Sequence, residues 1–198
     1  MSKRIVVVQG HPDPEGHHFG HALSGSYVHG AEEAGHAVRI IDVARLEFPL
    51  LHSKEDFEHG EPPEAIREAQ EAVRWAEHLV LLYPLWLGGM PALLKGFLEQ
   101  LFRPAFVTGV PEATDSSQSP ARALKGKTAH VVVTMGMPAM AYRWFYGAHS
   151  LKSLEQNILS FCGIGPIQET LIGMVEAGDD AGRQKWIKQL RAFGREGK

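Results

Sequence analysis

Apolar positions along the 198-residue chain follow two different periods in alternation. Short apolar runs at Ile5–Gln9, Val38–Val43, Leu79–Tyr83, Thr128–Thr134 and Ile167–Ile172 are too brief for globular helices. Their β-branched content predicts strands buried on both faces. Between them apolar residues recur at helical spacing. Phe19, Leu23, Tyr27, Ala31 and Ala34 define a first helix that Gly35 stops, and Ile66, Ala69, Val73 and Ala76 follow Pro62-Pro63 in a second. Leu93, Leu94, Phe97, Leu98 and Leu101 define a third over about residues 91–102, with Pro91 at its first position, where a missing N–H costs nothing. Leu151, Leu154, Ile158 and Phe161 make a fourth that Gly163 ends. Asp179 or Asp180 caps a fifth carrying Trp186, Ile187, Leu190 and Phe193.

Segments without a period are read as loops: Gly10–Gly20, Ala44–Glu61, Pro84–Met90, Arg103–Gly126 and Met135–Gly147. The stretch Arg103–Gly126 holds Pro104, Pro111, Pro120 and a TDSSQS tract, and is expected to include an active-site flap or a partner contact. Five strands alternating with five helices predict one α/β domain over residues 1–198, its parallel sheet covered on both faces. Right-handed crossovers leave few strand orders, of which 2-1-3-4-5 fits this count. The loops after strands one, three and four then meet at one end of the sheet, at its switch point.

Composition narrows the classes. Hydrophobic residues make up 44% and charged ones 22%, values of a folded soluble chain. A net charge of −3 lacks the basic field of a non-specific nucleic-acid binder. One cysteine, Cys162, allows no internal disulfide and fits a reducing cytoplasm. No apolar run is long enough for a signal peptide or a membrane span, so a cytoplasmic protein without membrane insertion is expected.

The loops carry the candidate chemistry. Gly10–Gly20 leads into a helix N-terminus, whose free N–H groups attract phosphate, yet it contains neither a Walker lysine motif nor GxGxxG. It is crowded with histidines instead: His11, His17, His18 and His21. His17 and His21, at i and i+4, could share a helix face for a metal, but no cysteine or spaced carboxylate completes the set, and no metal is expected. Solvated histidines at a helix start are the plain alternative; an N–H donor to phosphate is the reading favoured for His11. Around the third strand, His78–Arg103 joins a buried run, adjacent Gly88 and Gly89, and another helix start, a setting for a flat or anionic ligand.

The segment YPLWLGGMPALLKGF resembles the PLxWxGxPAxLKGxx signature of flavodoxin-like NAD(P)H:quinone oxidoreductases. GHPDPEGHHFGHAL is similar to that family's first loop, a His-Pro followed by Ser-Phe-Asn. TMGMPAMAY is similar to its TTGGxxxxY loop, and Phe48-Pro49 is a further echo. The likeness spans Ile5 to about Gly163.

It implies a flavodoxin-like three-layer fold, FAD or FMN as cofactor, NAD(P)H as co-substrate, a quinone-like acceptor and a homodimer. By the same resemblance His11, His18, Phe19 and Gly20 lie at the flavin phosphate. Pro84, Leu85, Trp86, Leu87 and Gly88 run along the ring edge, and Thr134, Met135, Gly136 and Met137 hold its pyrimidine side. Tyr142 hydrogen-bonds the flavin and His149 assists the charge shift. The chain departs from the pattern at His18, where serine is usual, at Gly20 for asparagine, and at Leu87 and Gly88 for aromatics; its first loop is one residue longer. Gly96 costs about 1 kcal/mol against alanine inside a helix, which the resemblance attributes to packing by the partner subunit. Azo or nitro compounds are alternative acceptors. A regulatory flavoprotein subunit of a potassium-efflux transporter is the competing role, and a flavodoxin-type electron carrier is disfavoured by the modest acidity.

Overall fold

A computed structural model describes residues 2–108 and 123–198. The strands are β1 (Arg4–Gln9), β2 (Ala37–Asp42), β3 (His78–Pro84), β4 (Thr128–Thr134) and β5 (Ile167–Ile172). They form one parallel sheet in the order 2-1-3-4-5. The helices are α1 (Phe19–Glu33), α2 (Lys54–His59), α3 (Glu64–Trp75), α4 (Ala92–Leu101), α5 (Pro104–Thr108), α6 (His149–Lys152) and α7 (Asp180–Glu196). The flavodoxin-like arrangement expected from the sequence is therefore present. Central strands read as continuous apolar runs because helices cover both faces. One core joins β1, β3 and β4 to α3 and α4 through residues such as Val6, Ile66, Leu81, Phe97 and Val131. The other joins Ile5, Val7, Val80 and Val132 to Leu23 and Tyr27 of α1 and Leu190 of α7.

α1 and α7 cross closely. A Cβ on Gly30 would fall inside the backbone of Arg191, and one on Gly194 inside the carbonyl of Tyr27. Only hydrogen at both positions lets these backbones meet.

Several stretches read as loops contain short helical structure. Within Ala44–Glu61, Asp42 caps a 3₁₀ turn, Val43–Arg45, and Ser53 accepts from the Asp56 N–H to start α2. No residue of α2 is buried, so it leaves no apolar stripe to read. α5 begins inside Arg103–Gly126, and residues 109–122, with the flap or partner contact expected there, lie outside the described residues. Met135–Gly147 includes a π-helical turn, Ala141–Phe145, and the helix begun by α6 continues with π spacing over Ser153–Ser160. Pro91 caps α4 from just outside rather than opening it, and Asp179 is the residue that caps α7.

Within the chain, Gly96 faces the loop after β2: a Cβ there would lie 2.5 Å from Leu50 Cδ2, and Leu50 is itself exposed. Among the described residues no helix is long and apolar enough to cross a membrane.

Candidate active site at the carboxyl edge of the sheet

The carboxyl ends of β1, β3 and β4 bring three loops together. Gln9, buried at the end of β1, organises the first. Its amide nitrogen donates to Gly20 O (3.1 Å) and Ser24 Oγ (2.9 Å), while its Oε1 accepts from the His11 N–H (3.1 Å). Gly10 N donates to Leu82 O at 2.7 Å, and a Cβ on Gly10 would come within 2.7 Å of Leu94 Cδ2. The chain thus leaves the sheet through a slot that fits glycine.

His11 is only 7% exposed. Its Nδ1 accepts the Asp13 N–H at 3.1 Å, which assigns the proton of the neutral ring to Nε2 and makes that atom a donor. Burial, reinforced by His18 and His21, lowers its pKa and keeps the ring neutral. His18 stacks on it at 4.0 Å between centroids and pairs through Nε2 with Asp13 Oδ2 at 2.6 Å. His21 completes the cluster, 5.2 Å from His11 and 5.8 Å from His18. Both its ring nitrogens are shut from water without a hydrogen-bond partner. Trp86 meets His11 edge-on at 5.9 Å and joins the first loop to the second.

His18 is the N-cap of α1 but its side chain makes no capping bond, and the first turn has no acidic residue. The N–H groups of Phe19 and Gly20 precede the first intrahelical bond, His21 N to His18 O, and make no hydrogen bond among the described residues. His17 lies before the helix, so it shares no helical face with His21. Among the described residues no three His, Cys, Asp or Glu side chains converge as a metal site.

In the second loop Trp86 and Gly89 exchange backbone bonds of 2.8 and 2.9 Å. Leu87 (φ 45°) and Gly88 (φ 79°) between them form a type I′ turn. Leucine is unusual at such a φ, and Leu87 is fully exposed. The loop is fastened to the third by Leu85 N to Thr134 O at 2.7 Å, just beyond the Pro84–Thr134 register pair.

The third loop is in turn pinned to the end of β5. Met135 N donates to Ile172 O, Met174 N to Met137 O and Val175 N to Met135 O, at 2.8–3.2 Å. A Cβ on Gly173 would meet Met137 O at 2.7 Å. The N–H groups of Leu87, Gly88, Gly136 and Met137 make no hydrogen bond among the described residues, so the two fastened loops present four free donors. Thr134 and Met135 are buried beneath them.

Tyr142 is buried, and its hydroxyl is engaged by Ser150 Oγ (2.7 Å) and the Leu151 N–H (3.3 Å) at the start of α6. His149 is exposed at the first position of α6, its ring against Gly147. Met140, Trp144, Phe145 and Tyr146 are exposed on the same segment, and Arg143 pairs with Glu169. Gln9, Asp13 and Ser150 join the site without having been singled out from sequence, and His21, noted there only within the histidine cluster and as a metal candidate, joins it as an unpartnered ring. A polar residue ending an apolar strand just before a glycine was the available signal for Gln9.

The donors suit a ligand with a flat polar edge and an anionic tail: amides for the edge, imidazole and a helix start for the tail. Amides and imidazoles of this kind fit a flavin. In doubly wound parallel sheets the switch point, where these donors lie, is the usual place for a ligand.

The family model of the flavodoxin-like fold matches residues 3–193, and the chain belongs to that family. An uncharacterized NAD(P)H oxidoreductase of Haemophilus influenzae is 27% identical over 187 residues, 92% of this chain and 90% of that protein. The NAD(P)H:quinone oxidoreductase from Methanothermobacter marburgensis superposes with a TM-score of 0.81 at 24% identity, covering 100% of both chains. An FMN-dependent NADH-azoreductase from Bacillus anthracis, solved with FMN, gives 0.70 at 13% identity, covering 97% of this chain and 98% of that one.

Proposed function

We propose that this protein is a flavin-dependent NAD(P)H:quinone oxidoreductase, with FAD as cofactor and FMN as the smaller alternative. The observation that carries this reading is the pair of fastened loops with four free N–H donors beside a buried imidazole donor at the start of α1. The names of its relatives agree with that chemistry. A bound flavin would supply the exchange of a hydride between nicotinamide and acceptor.

The chain's own work is positioning and charge. The N–H groups of Gly136 and Met137 would donate to the pyrimidine edge of a bound flavin, and the bonds of Met135 and Met137 to Ile172, Met174 and Val175 hold them in place beforehand. Leu85, Trp86, Leu87 and Gly88 would border a bound ring, and Trp86 joins this loop to the first through His11. His11 Nε2 and the N–H groups of Phe19 and Gly20 hold the phosphate, with His18 kept in place by Asp13. Tyr142 braces the start of α6 through Ser150 and the Leu151 N–H, and its hydroxyl would serve a bound flavin as a hydrogen-bond partner. His149, exposed beside that mouth, can hold a proton at an acceptor oxygen. The exposed Trp144, Phe145 and Tyr146 supply an apolar rim for a quinone or for the second subunit of a homodimer.

The test is the visible spectrum of the purified protein, identification of the released cofactor, and turnover of NADPH with a benzoquinone. A yellow protein that reduces the quinone is expected. A colourless one that takes up neither FAD nor FMN overturns the reading.

A further inference from the structure

The three imidazoles of the first loop differ in what they can do with a proton. His11 uses Nδ1 to accept the Asp13 N–H, a role that protonation would destroy, so it is a fixed Nε2–H donor. His18 is committed to Asp13 through Nε2. His21 alone has neither nitrogen engaged, and both are sealed from water. A neutral imidazole there offers one donor and one lone pair. The lone pair is useless to an anion, whereas the protonated ring offers two donors and a charge.

The surrounding charges are few. Asp13 and His18 face His21 from its own loop, and Asp42 and Arg45 from the end of β2; burial outweighs them and lowers its pKa while no anion is present. Arg45 is turned to Asp42 and to Pro14 O. The loop that brings Trp86, residues 85–90, has no titratable side chain. Among the described residues Arg45, already turned to Asp42 and Pro14 O, is the one basic side chain other than imidazole that acts on His21, so anionic charge arriving at the start of α1 is met largely by imidazole.

We propose that His21 takes up one proton from solvent when the cofactor's phosphate docks at the start of α1, so that cofactor binding is proton-linked and tightens as pH falls. This rests on the flavin reading above. It adds that His21 is a binding residue whose charge state is set by the ligand, and that retention of the cofactor is controlled by pH.

The experiment titrates deflavinated protein with FAD and with riboflavin, by flavin fluorescence, from pH 6 to 8.5. The diphosphate of FAD keeps its charge throughout that range, so any pH slope belongs to the protein, and riboflavin has no phosphate. One linked proton predicts an FAD Kd that rises by up to about tenfold per pH unit. Riboflavin should be flat. His21→Asn should flatten the FAD curve, weakening binding at pH 6 by roughly tenfold or more and leaving pH 8.5 almost unchanged. In the unmodified protein the His21 ring resonances should also move to the protonated position when FAD is added at pH 7.5. A flat FAD curve, or equal slopes for FAD and riboflavin, overturns proton uptake while leaving flavin binding intact. Absence of binding by either flavin at every pH overturns both.

Discussion

The two edges of the sheet use the same residue type in opposite ways. At the amino-terminal edge His36, His78 and His130 are parts of the frame. His36 accepts the Lys3 N–H and contacts Arg195 O; His78 bonds Thr128 Oγ1; His130 bonds Thr170 Oγ1 and Lys198 O. At the carboxyl edge His18 stacks on His11 and His21 lies tilted against both, and His21 has no hydrogen-bond partner. Each histidine of the amino-terminal edge makes at least one bond, although His78 Nε2 is left without one, whereas at the switch point His21 has neither nitrogen engaged, which keeps a place for a ligand. The same contrast separates the tight α1–α7 crossing from the loops, with their positive φ angles and exposed apolar side chains.

The sharpest way to break the contrast is at the closed half. Gly194→Ala would push a methyl into the Tyr27 carbonyl and should cost about 3 kcal/mol or more, read as a lower denaturation midpoint. A neutral result would mean that α1 and α7 do not depend on that approach. Acid comes next. Burial pushes the His78 pKa down to about 4, and His130 is lowered by the same cause. The unfolded chain binds these protons first, so stability is full above about pH 6.5 and falls as pH drops toward 4. His78 alone accounts for about 3 kcal/mol across that window. Denaturation midpoints that stay level between pH 7 and 4.5 would remove the closed edge's claim to rely on neutral histidines.

Much of this architecture was open to reading from sequence. The five strands and the faces of the long helices follow from apolar period, because burial on one or two sides dictates it. α2 and α5 escaped since five or six residues make too few turns to show a stripe. The Gly30–Gly194 contact escaped for another reason: glycine records only that something is near, not what. Gly96 is alike: its sequence position does not tell that Leu50 is its neighbour within the chain. The loops of the site were placed by their order in the chain, but the jobs of Gln9 and His21 depend on bonds, or on missing ones, that no spacing announces. Leu87 is least expected, since the turn it occupies asks for asparagine or glycine.

Two smaller changes sharpen the open edge. Gly10→Ala crowds Leu94 and Leu82 O and should cost about 1–2 kcal/mol, with a larger loss in flavin retained through gel filtration. Retention equal to the parent would detach the first loop from cofactor binding. Leu87→Asn should instead raise stability by about 0.5–1 kcal/mol, because asparagine tolerates the left-handed φ. A loss there would show that the exposed leucine is packed against something in solution.

The bond from Leu85 N to Thr134 O, with those that tie Met135 and Met137 to the end of β5, extends the sheet beyond its named strands. Amide hydrogens at Leu85 and Met135 should therefore exchange on the timescale of global unfolding, as slowly as those of central β3. The rim of the site would then be among the slowest-breathing parts of the molecule. A ring-shaped ligand, if the proposed flavin binds here, would come and go past standing walls, and the pace of its exchange would be set by stacking on those walls instead of by a hinge.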